Sequence, residues 1–220
     1  MSTPALALVT VALLGAPPAR PGPAPTAFAQ AYNRVEPSVV AVVAQHGRRH
    51  RTGAGFVASP DGQVVCSSLT VDGASQVQAW VKGRWVVARV LAVDARLRVA
   101  LLALEGLTEA LQPVPVAPQA TLRRNDWVVA VDRRADGLAR PVAGLVADSP
   151  AQGPGPGRPP VVLVDAPAGV GAPLINLRGE VVGLSLGRLD RTRGRAQSLE
   201  PLRAFLVRAS GPRAAAVNPG

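Results

Sequence analysis

The stretch of sequence that decides the fold is Val164-Asp-Ala-Pro-Ala-Gly-Val-Gly-Ala-Pro-Leu-Ile-Asn-Leu-Arg-Gly-Glu-Val-Val-Gly-Leu184. An apolar run, Val161 to Val164, leads into it, and two more follow at Pro173 to Ile175 and Val181 to Leu186. Short apolar runs rich in β-branched residues between glycine and proline turns predict β-strands. The stretch therefore predicts three strands joined by short turns.

Runs of this kind recur on both sides of the stretch and fall into two series. The proline-rich Gln112 to Pro118, which favours an extended connector, lies between them. Many short strands at regular spacing predict an all-β fold of barrels or a sandwich. Helices are predicted only near the ends, at Phe28 to Val35 and at Leu199 to Arg208. The remaining predicted strands are Ser38 to Ala44, Gly55 to Ala58, Gln63 to Cys66, Val77 to Val81, Trp85 to Val93, Val99 to Leu104, Trp127 to Val131 and Val142 to Val146.

The composition describes a basic globular protein without covalent cross-links. The chain has 220 residues, of which 48% are hydrophobic and 3% aromatic, with a formal net charge of +10. Cys66 is the single cysteine and the chain has two histidines, so neither an intramolecular disulfide nor a Cys/His metal site is expected, and no cofactor is expected. The arginines are spread along the chain without interleaved aromatic residues, so specific nucleic-acid binding is not expected either.

The first residues indicate export. The apolar run Ala5 to Gly15 is shorter than the ~20 residues of a membrane-spanning helix, and Ala27-Phe28-Ala29 has the form of a signal-peptidase site. Residues 1–29 are thus predicted to be a signal peptide, with an uncleaved membrane anchor as the alternative. The protein would then be secreted or periplasmic. The further divisions are an N-terminal barrel at 30–118, a C-terminal barrel with its helix at 119–209 and a flexible tail at 210–220.

Four blocks of sequence carry a resemblance to a known family. Val35-Glu-Pro-Ser-Val-Val-Ala-Val42, Gly53-Ala-Gly-Phe-Val-Ala-Ser-Pro-Asp-Gly-Gln-Val-Val65, Leu122-Arg-Arg-Asn-Asp-Trp-Val-Val-Ala-Val131 and the opening stretch follow one another in the order of the HtrA/Deg-type trypsin-like serine proteases. The resemblance extends over most of Val35 to Leu206. It implies two perpendicular six-stranded antiparallel β-barrels of the trypsin type, a short C-terminal helix and an active site in the cleft between the barrels. A PDZ domain is not expected after the second barrel.

The resemblance also locates three positions that form a Ser-His-Asp triad in the family. By this resemblance, Val170 aligns with the serine position, Leu69 with the histidine position and Arg98 with the aspartate position. A triad needs a nucleophile, a base and a group that orients the base, and these three side chains supply none of them. The loop Ala168, Gly169 and Gly171 stands where the oxyanion loop would be, and its sequence departs from the family pattern as well.

These replacements predict a catalytically degenerate homologue, or pseudoprotease, that is not an enzyme. It would act as a non-catalytic peptide- or protein-binding module of the cell envelope, with an unknown partner. Its membership of the protease family would then say nothing about catalysis.

Two alternatives remain open. One is an active endopeptidase or hydrolase with a relocated nucleophile at Cys66, Ser67 or Ser68, with His46 and His50 in the Arg-rich Gln45 to Arg51 surface loop as the only imidazoles. The other is a basic protein that binds polyanions or membrane surfaces by charge.

Arg98 has two readings of its own. A half-buried arginine must be paired, and the favoured partners are Asp94, Asp165 or a backbone carbonyl. In the other reading it receives a carboxylate from a bound peptide or partner.

Overall fold

A computed structural model describes residues 22–118, 122–149 and 159–209 of the chain. The Ala5 to Gly15 run, the 210–220 tail and most of the 151–160 loop lie outside these ranges. Within them the chain forms two closed, six-stranded, antiparallel β-barrels and a short C-terminal helix, which confirms the predicted fold class.

The first barrel has the strand order β1-β2-β3-β6-β5-β4, and every neighbouring pair is antiparallel. A helix, α1 at Pro25–Val35, and a 3-10 turn at Glu36–Ser38 lead into the barrel, and the four-residue helix α2 at Ser68–Val71 follows β3. The strands are β1 Val39–His46, β2 Arg49–Val57, β3 Gln63–Ser67, β4 Gln76–Val81, β5 Arg84–Asp94 and β6 Val99–Leu104.

The second barrel closes in the order β10-β11-β12-β9-β8-β7. Helix α3, at Leu199–Ala209, directly follows its last strand and buries Leu202 and Phe205. The strands are β7 Trp127–Arg133, β8 Ala139–Asp148, β9 Val161–Val164, β10 Pro173–Ile175, β11 Val181–Arg188 and β12 Gly194–Ser198.

The buried apolar side chains of the first barrel belong to two separate hydrophobic cores. One core fills that barrel and includes Val64 and Leu102, whereas the other includes their neighbours Val65 and Leu101 together with the apolar residues of the second barrel and the terminal helices. Side chains alternate along a strand, so β3 and β6 bury both faces. This explains why their sequences are continuous apolar runs rather than alternating ones.

The connector between the barrels is extended, as its prolines predict. Its Val114 N–H donates to the Val57 carbonyl at 2.9 Å, and its Pro115 carbonyl accepts from the Val181 N–H at 2.8 Å. Because its backbone bonds reach both barrels, the connector fastens the two barrels together.

Residues Gln45 to Arg51 lie at the surface, as predicted, but most of them belong to strands instead of a loop. They form the tip of the β1–β2 hairpin, where Gln45 pairs with His50 and His46 with Arg49. Backbone pairing continues here beyond the apolar part of both strands, so hydrophobic pattern alone does not reveal it.

The N-terminal part of the described chain packs onto the second barrel. The proposed cleavage motif Ala27-Phe28-Ala29 lies within α1, and the Phe28 ring meets the Trp127 ring edge to face, with centroids 5.3 Å apart. Signal-peptide cleavage stays a prediction. Among the described helices, none has the length and apolar character needed to span a membrane.

Candidate site in the cleft between the barrels

The wall of the cleft on the first barrel is built around the hydroxyl of Ser67. Ser67 ends β3 and caps α2, since its Oγ accepts from the Leu69 N–H at 3.3 Å. The same Oγ donates to the Arg98 carbonyl at 3.1 Å, and the Ser68 N–H donates to that carbonyl at 3.1 Å. A short helix held in this way presents Leu69, whose side chain is 42% exposed.

The wall on the second barrel is the loop 168–172. The Val170 carbonyl accepts from the Ala54 N–H of β2 at 2.8 Å, and the Gly171 N–H donates to the Ser185 carbonyl of β11 at 2.8 Å. Gly171 has a φ of 83°, which favours glycine, and a Cβ added there would overlap the Ala54 carbonyl. The loop is therefore held by both barrels through its backbone.

The structure brings the segments of the three predicted triad positions together. A Cβ on Gly171 would lie 3.2 Å from the Ser67 backbone nitrogen, and Ser67 in turn bonds to the backbones of Leu69 and Arg98. The assignment of Val170, Leu69 and Arg98 to the serine, histidine and aspartate positions stays a prediction. None of the three side chains carries a group that accepts a proton or attacks a carbonyl at neutral pH.

The pairing expected for Arg98 is not found among the described residues. Asp94 uses Oδ1 for the N–H groups of Arg96 and Leu97, at 3.1 and 3.0 Å, and Oδ2 for the Arg208 guanidinium at 3.3 Å. Arg98 contributes its carbonyl to the Ser67 network, while its guanidinium has no hydrogen-bond or ion-pair partner there. Being only half-buried, the guanidinium keeps contact with water, so the charge needs no protein partner.

A cavity of about 340 Å³ opens beside Val170. Thr52 and Asp132 are among the residues that line it, and the Asp132 Oδ2 accepts from the Gly169 N–H at 3.1 Å. Sequence reasoning missed both residues. The only available signal for Asp132 was its place at the end of the Trp127 to Val131 run, where a strand leaves the buried core.

The N–H groups of the 168–172 loop are used unequally. Those of Gly169 and Gly171 are engaged by Asp132 and Ser185, whereas those of Ala168 and Val170 donate to no acceptor among the described residues. Ala168 is buried, but Val170 is partly exposed beside the cavity, so its N–H could bind the carbonyl oxygen of a ligand.

The candidates for a relocated nucleophile are buried. Burial raises the pKa of Cys66 to about 12, which keeps the thiol protonated and unreactive. Ser67 and Ser68 are buried as well. His46 contacts the Thr70 carbonyl through Nε2 at 2.8 Å, and His50 is exposed on the hairpin. Within residues 22–118, 122–149 and 159–209, no group of three His, Cys, Asp or Glu residues is placed to hold a metal ion.

A family model for the trypsin-like peptidase domain matches residues 53–184, which is more than half of the chain and includes both walls of the cleft. The chain belongs to the trypsin-like peptidase family. A solved structure of similar fold is the protease Rv3671c from M. tuberculosis in its active form, with a TM-score of 0.74 and 22% identity, covering 92% of this chain and 95% of that one.

Curated relatives support the HtrA/Deg type. A probable periplasmic serine endoprotease, DegP-like, from a Marinomonas species is 30% identical over 68% of this chain and 32% of its own length. The mitochondrial serine protease HTRA2 of Bos taurus is 28% identical over 91% of this chain and 47% of its own length. The chain thus spans a third to a half of these relatives.

These names overturn one prediction. The expectation that the chain is not an enzyme is wrong, because its relatives in this trypsin-like peptidase family are named as serine proteases. The chemistry of three side chains does not decide whether a whole protein is an enzyme.

Proposed function

We propose that the cleft between the two barrels binds a segment of polypeptide. The observation that carries the proposal is that Ser67 contacts both an exposed leucine and the 168–172 loop, whose Val170 lines a cavity and keeps an unused backbone donor. Leu69 offers apolar contact, the cavity beside Val170 offers space for a side chain, and the Val170 N–H offers a donor for a carbonyl. A polypeptide supplies the matching groups at regular spacing.

The proposal includes the three triad positions. Leu69, Arg98 and Val170 would contact the bound segment without moving a proton, because their side chains have no group suited to that step. Relatives named as periplasmic support a location in the periplasm or outside the cell.

Binding of a short, neutral, rhodamine-labelled peptide, followed by fluorescence anisotropy, tests the proposal. Leu69→Ser should weaken binding about fivefold, since it removes one apolar contact, and Val170→Trp should weaken it about tenfold by filling the cavity. The matched controls are Val207→Ser and Val87→Trp, at residues that are 72% and 44% exposed and do not line the cavity. Equal effects of the cleft variants and their controls would refute binding in the cleft.

Peptidase activity is the second candidate, and the names of the relatives favour it. The nucleophile would come from a residue other than Val170. Ser67 and Ser68 flank the cleft but are buried, while Thr52 is exposed and lines the cavity.

Casein hydrolysis and labelling by a fluorophosphonate probe, with the labelled residue mapped by mass spectrometry, test this candidate. The triple variant C66A/S67A/S68A should abolish hydrolysis by a nucleophile at the end of β3, and Thr52→Ala should abolish hydrolysis by the exposed threonine. Circular dichroism would verify that each variant remains folded. Hydrolysis that survives both sets of substitutions excludes all four residues.

A further inference from the structure

We propose that the β1–β2 hairpin tip and Arg98 form an anion-recognition surface that selects acidic segments of the polypeptide bound in the cleft. The inference rests on the proposed function and names the class of ligand. The hairpin tip is defined here as residues 45–51, with the cationic side chains of Arg48, Arg49 and Arg51 and the imidazole of His50.

The charge of the hairpin tip is not neutralised within the protein. Arg48, Arg49 and Arg51 are exposed, and none of them forms an ion pair with a described residue. Other arginines of the chain are paired, as in Arg178 with Glu180 and Arg193 with Asp190, both at 2.8 Å. Three unpaired cations within four residues attract an anion more strongly than the same charges spread over the surface.

The hairpin tip is fixed beside the cleft. The Arg51 guanidinium donates through Nη1 to the Leu69 carbonyl at 3.2 Å, and the His46 Nε2 lies 2.8 Å from the Thr70 carbonyl. Both contacts bind the tip to α2, the helix that presents Leu69. A peptide lying against Leu69 therefore has Arg51 beside it, with Arg48 and Arg49 further along the same hairpin.

Arg98 is a second basic residue whose backbone is linked to that of Leu69. The Leu69 N–H donates to the Ser67 Oγ, which donates to the Arg98 carbonyl, while the Leu69 carbonyl accepts from Arg51. With no partner among the described residues, the half-buried Arg98 guanidinium can donate two N–H groups to a carboxylate in the favourable fork geometry.

The surroundings favour a polypeptide over nucleic acid or lipid. Stacking of bases needs aromatic rings, but the paired rings of Trp80 and Trp85 lie at the other end of the barrel, since Trp80 is opposite Ala41 whereas the tip begins opposite Gln76. Insertion into a membrane needs several exposed apolar side chains, and Leu69 is the one exposed large apolar residue of α2. An acidic, extended chain with an apolar residue between its carboxylates fits all three features.

The test compares rhodamine-labelled peptides of equal length in which glutamate is replaced by glutamine or by lysine. The wild-type chain should bind the acidic peptide about tenfold more tightly than the glutamine peptide at low salt, and this preference should shrink at high salt. R48E/R49E/R51E should abolish the preference. Arg98→Gln should reduce it about threefold, and Arg98→Lys should restore part of it.

The matched control is R84E/R123E/R124E, which changes the net charge equally at exposed arginines outside the tip and the cavity lining. It should keep the preference within about twofold, because distant exposed charges are screened. Equal binding of acidic and neutral peptides would overturn the inference while leaving the proposed function intact, and binding of neither peptide would overturn both. A single-stranded oligonucleotide or phosphatidylglycerol vesicles bound more tightly than the acidic peptide would overturn selection of a polypeptide.

Discussion

The two walls of the cleft are held in place by different means. On the first barrel, one side-chain hydroxyl, that of Ser67, connects the Leu69 N–H to the Arg98 carbonyl. On the second barrel, backbone groups of Val170 and Gly171 bind directly to β2 and β11. The first wall therefore depends on the presence of a side chain and the second on the absence of one. A substitution should accordingly destabilise the first wall when it removes a side chain and the second wall when it adds one.

The largest effect is expected from adding a methyl group to the second wall. Gly171→Ala should lower the free energy of unfolding by about 4 kcal/mol, because it combines a left-handed backbone with overlap against the Ala54 carbonyl. Urea denaturation followed by circular dichroism measures the loss. Gly73→Ala is the control, since Gly73 also has a positive φ but an added Cβ would meet open space. The expected loss in the free energy of unfolding is about 1 kcal/mol. Similar losses in both variants would show that the loop can move away.

A smaller effect is expected from removing the hydroxyl of the first wall. Ser67→Ala should cost about 2 kcal/mol, because the Leu69 N–H loses its acceptor and the Arg98 carbonyl loses one of its two donors. The exposed Ser75, whose Oγ donates to the Gln45 carbonyl at 3.1 Å, provides the control Ser75→Ala with about 0.5 kcal/mol. The same denaturation measurement applies. A loss no greater than the control would show that the wall does not depend on Ser67.

Cys66, the residue before Ser67 in the first wall, makes the free energy of unfolding depend on pH. Its pKa rises from 9.0 to about 12 on burial, so the unfolded chain releases the thiol proton first and stability falls as pH rises from about 9 towards 12. From pH 8 to 10 the expected loss is roughly 1 kcal/mol. Urea midpoints across this range should fall less steeply in Cys66→Ala than in the wild type. Parallel curves would contradict the buried, protonated thiol.

The smallest effect is expected from trimming a side chain on the second wall. Val170→Ala should cost less than about 1 kcal/mol, because the wall is fixed by the Val170 carbonyl and the side chain is only partly buried. Peptide binding should remain within about twofold. A loss as large as that of Ser67→Ala would mean that the Val170 side chain, and not the backbone alone, holds the loop.

Most of the fold could be predicted because the apolar runs are short, rich in valine and separated by turns. The elements that were missed lack this pattern. β12, at Gly194–Ser198, has a polar sequence, yet it buries Gln197, and β2 begins at Arg49 rather than at Gly55. Helix α2 is too short to show a helical period. In each case backbone pairing or a cap, not hydrophobic pattern, determines the element.

The candidate site was predictable in position but not in its contacts. The resemblance to the HtrA/Deg type directed attention to Leu69, Arg98 and Val170, and the structure places their segments around Ser67. The resemblance could not reveal that the Ser67 hydroxyl binds a carbonyl 31 residues away, or that Asp132 binds the Gly169 N–H. Such contacts depend on how the two barrels dock. The sequence likewise named Asp94 as a partner of Arg98, whereas in the structure Asp94 binds Arg96, Leu97 and Arg208.

The burial of both faces of β3 and β6 has a consequence for how such a chain could arise or be rearranged. Val65 and Leu101 pack in the core shared with the second barrel, while Val64 and Leu102 pack inside the first. If a gene rearrangement separated the two halves, the first barrel would expose a stripe of apolar side chains to water. The two barrels are therefore expected to be inherited together. New variants of this protein are expected to arise at hairpin tips and loops instead of through exchange of a whole barrel.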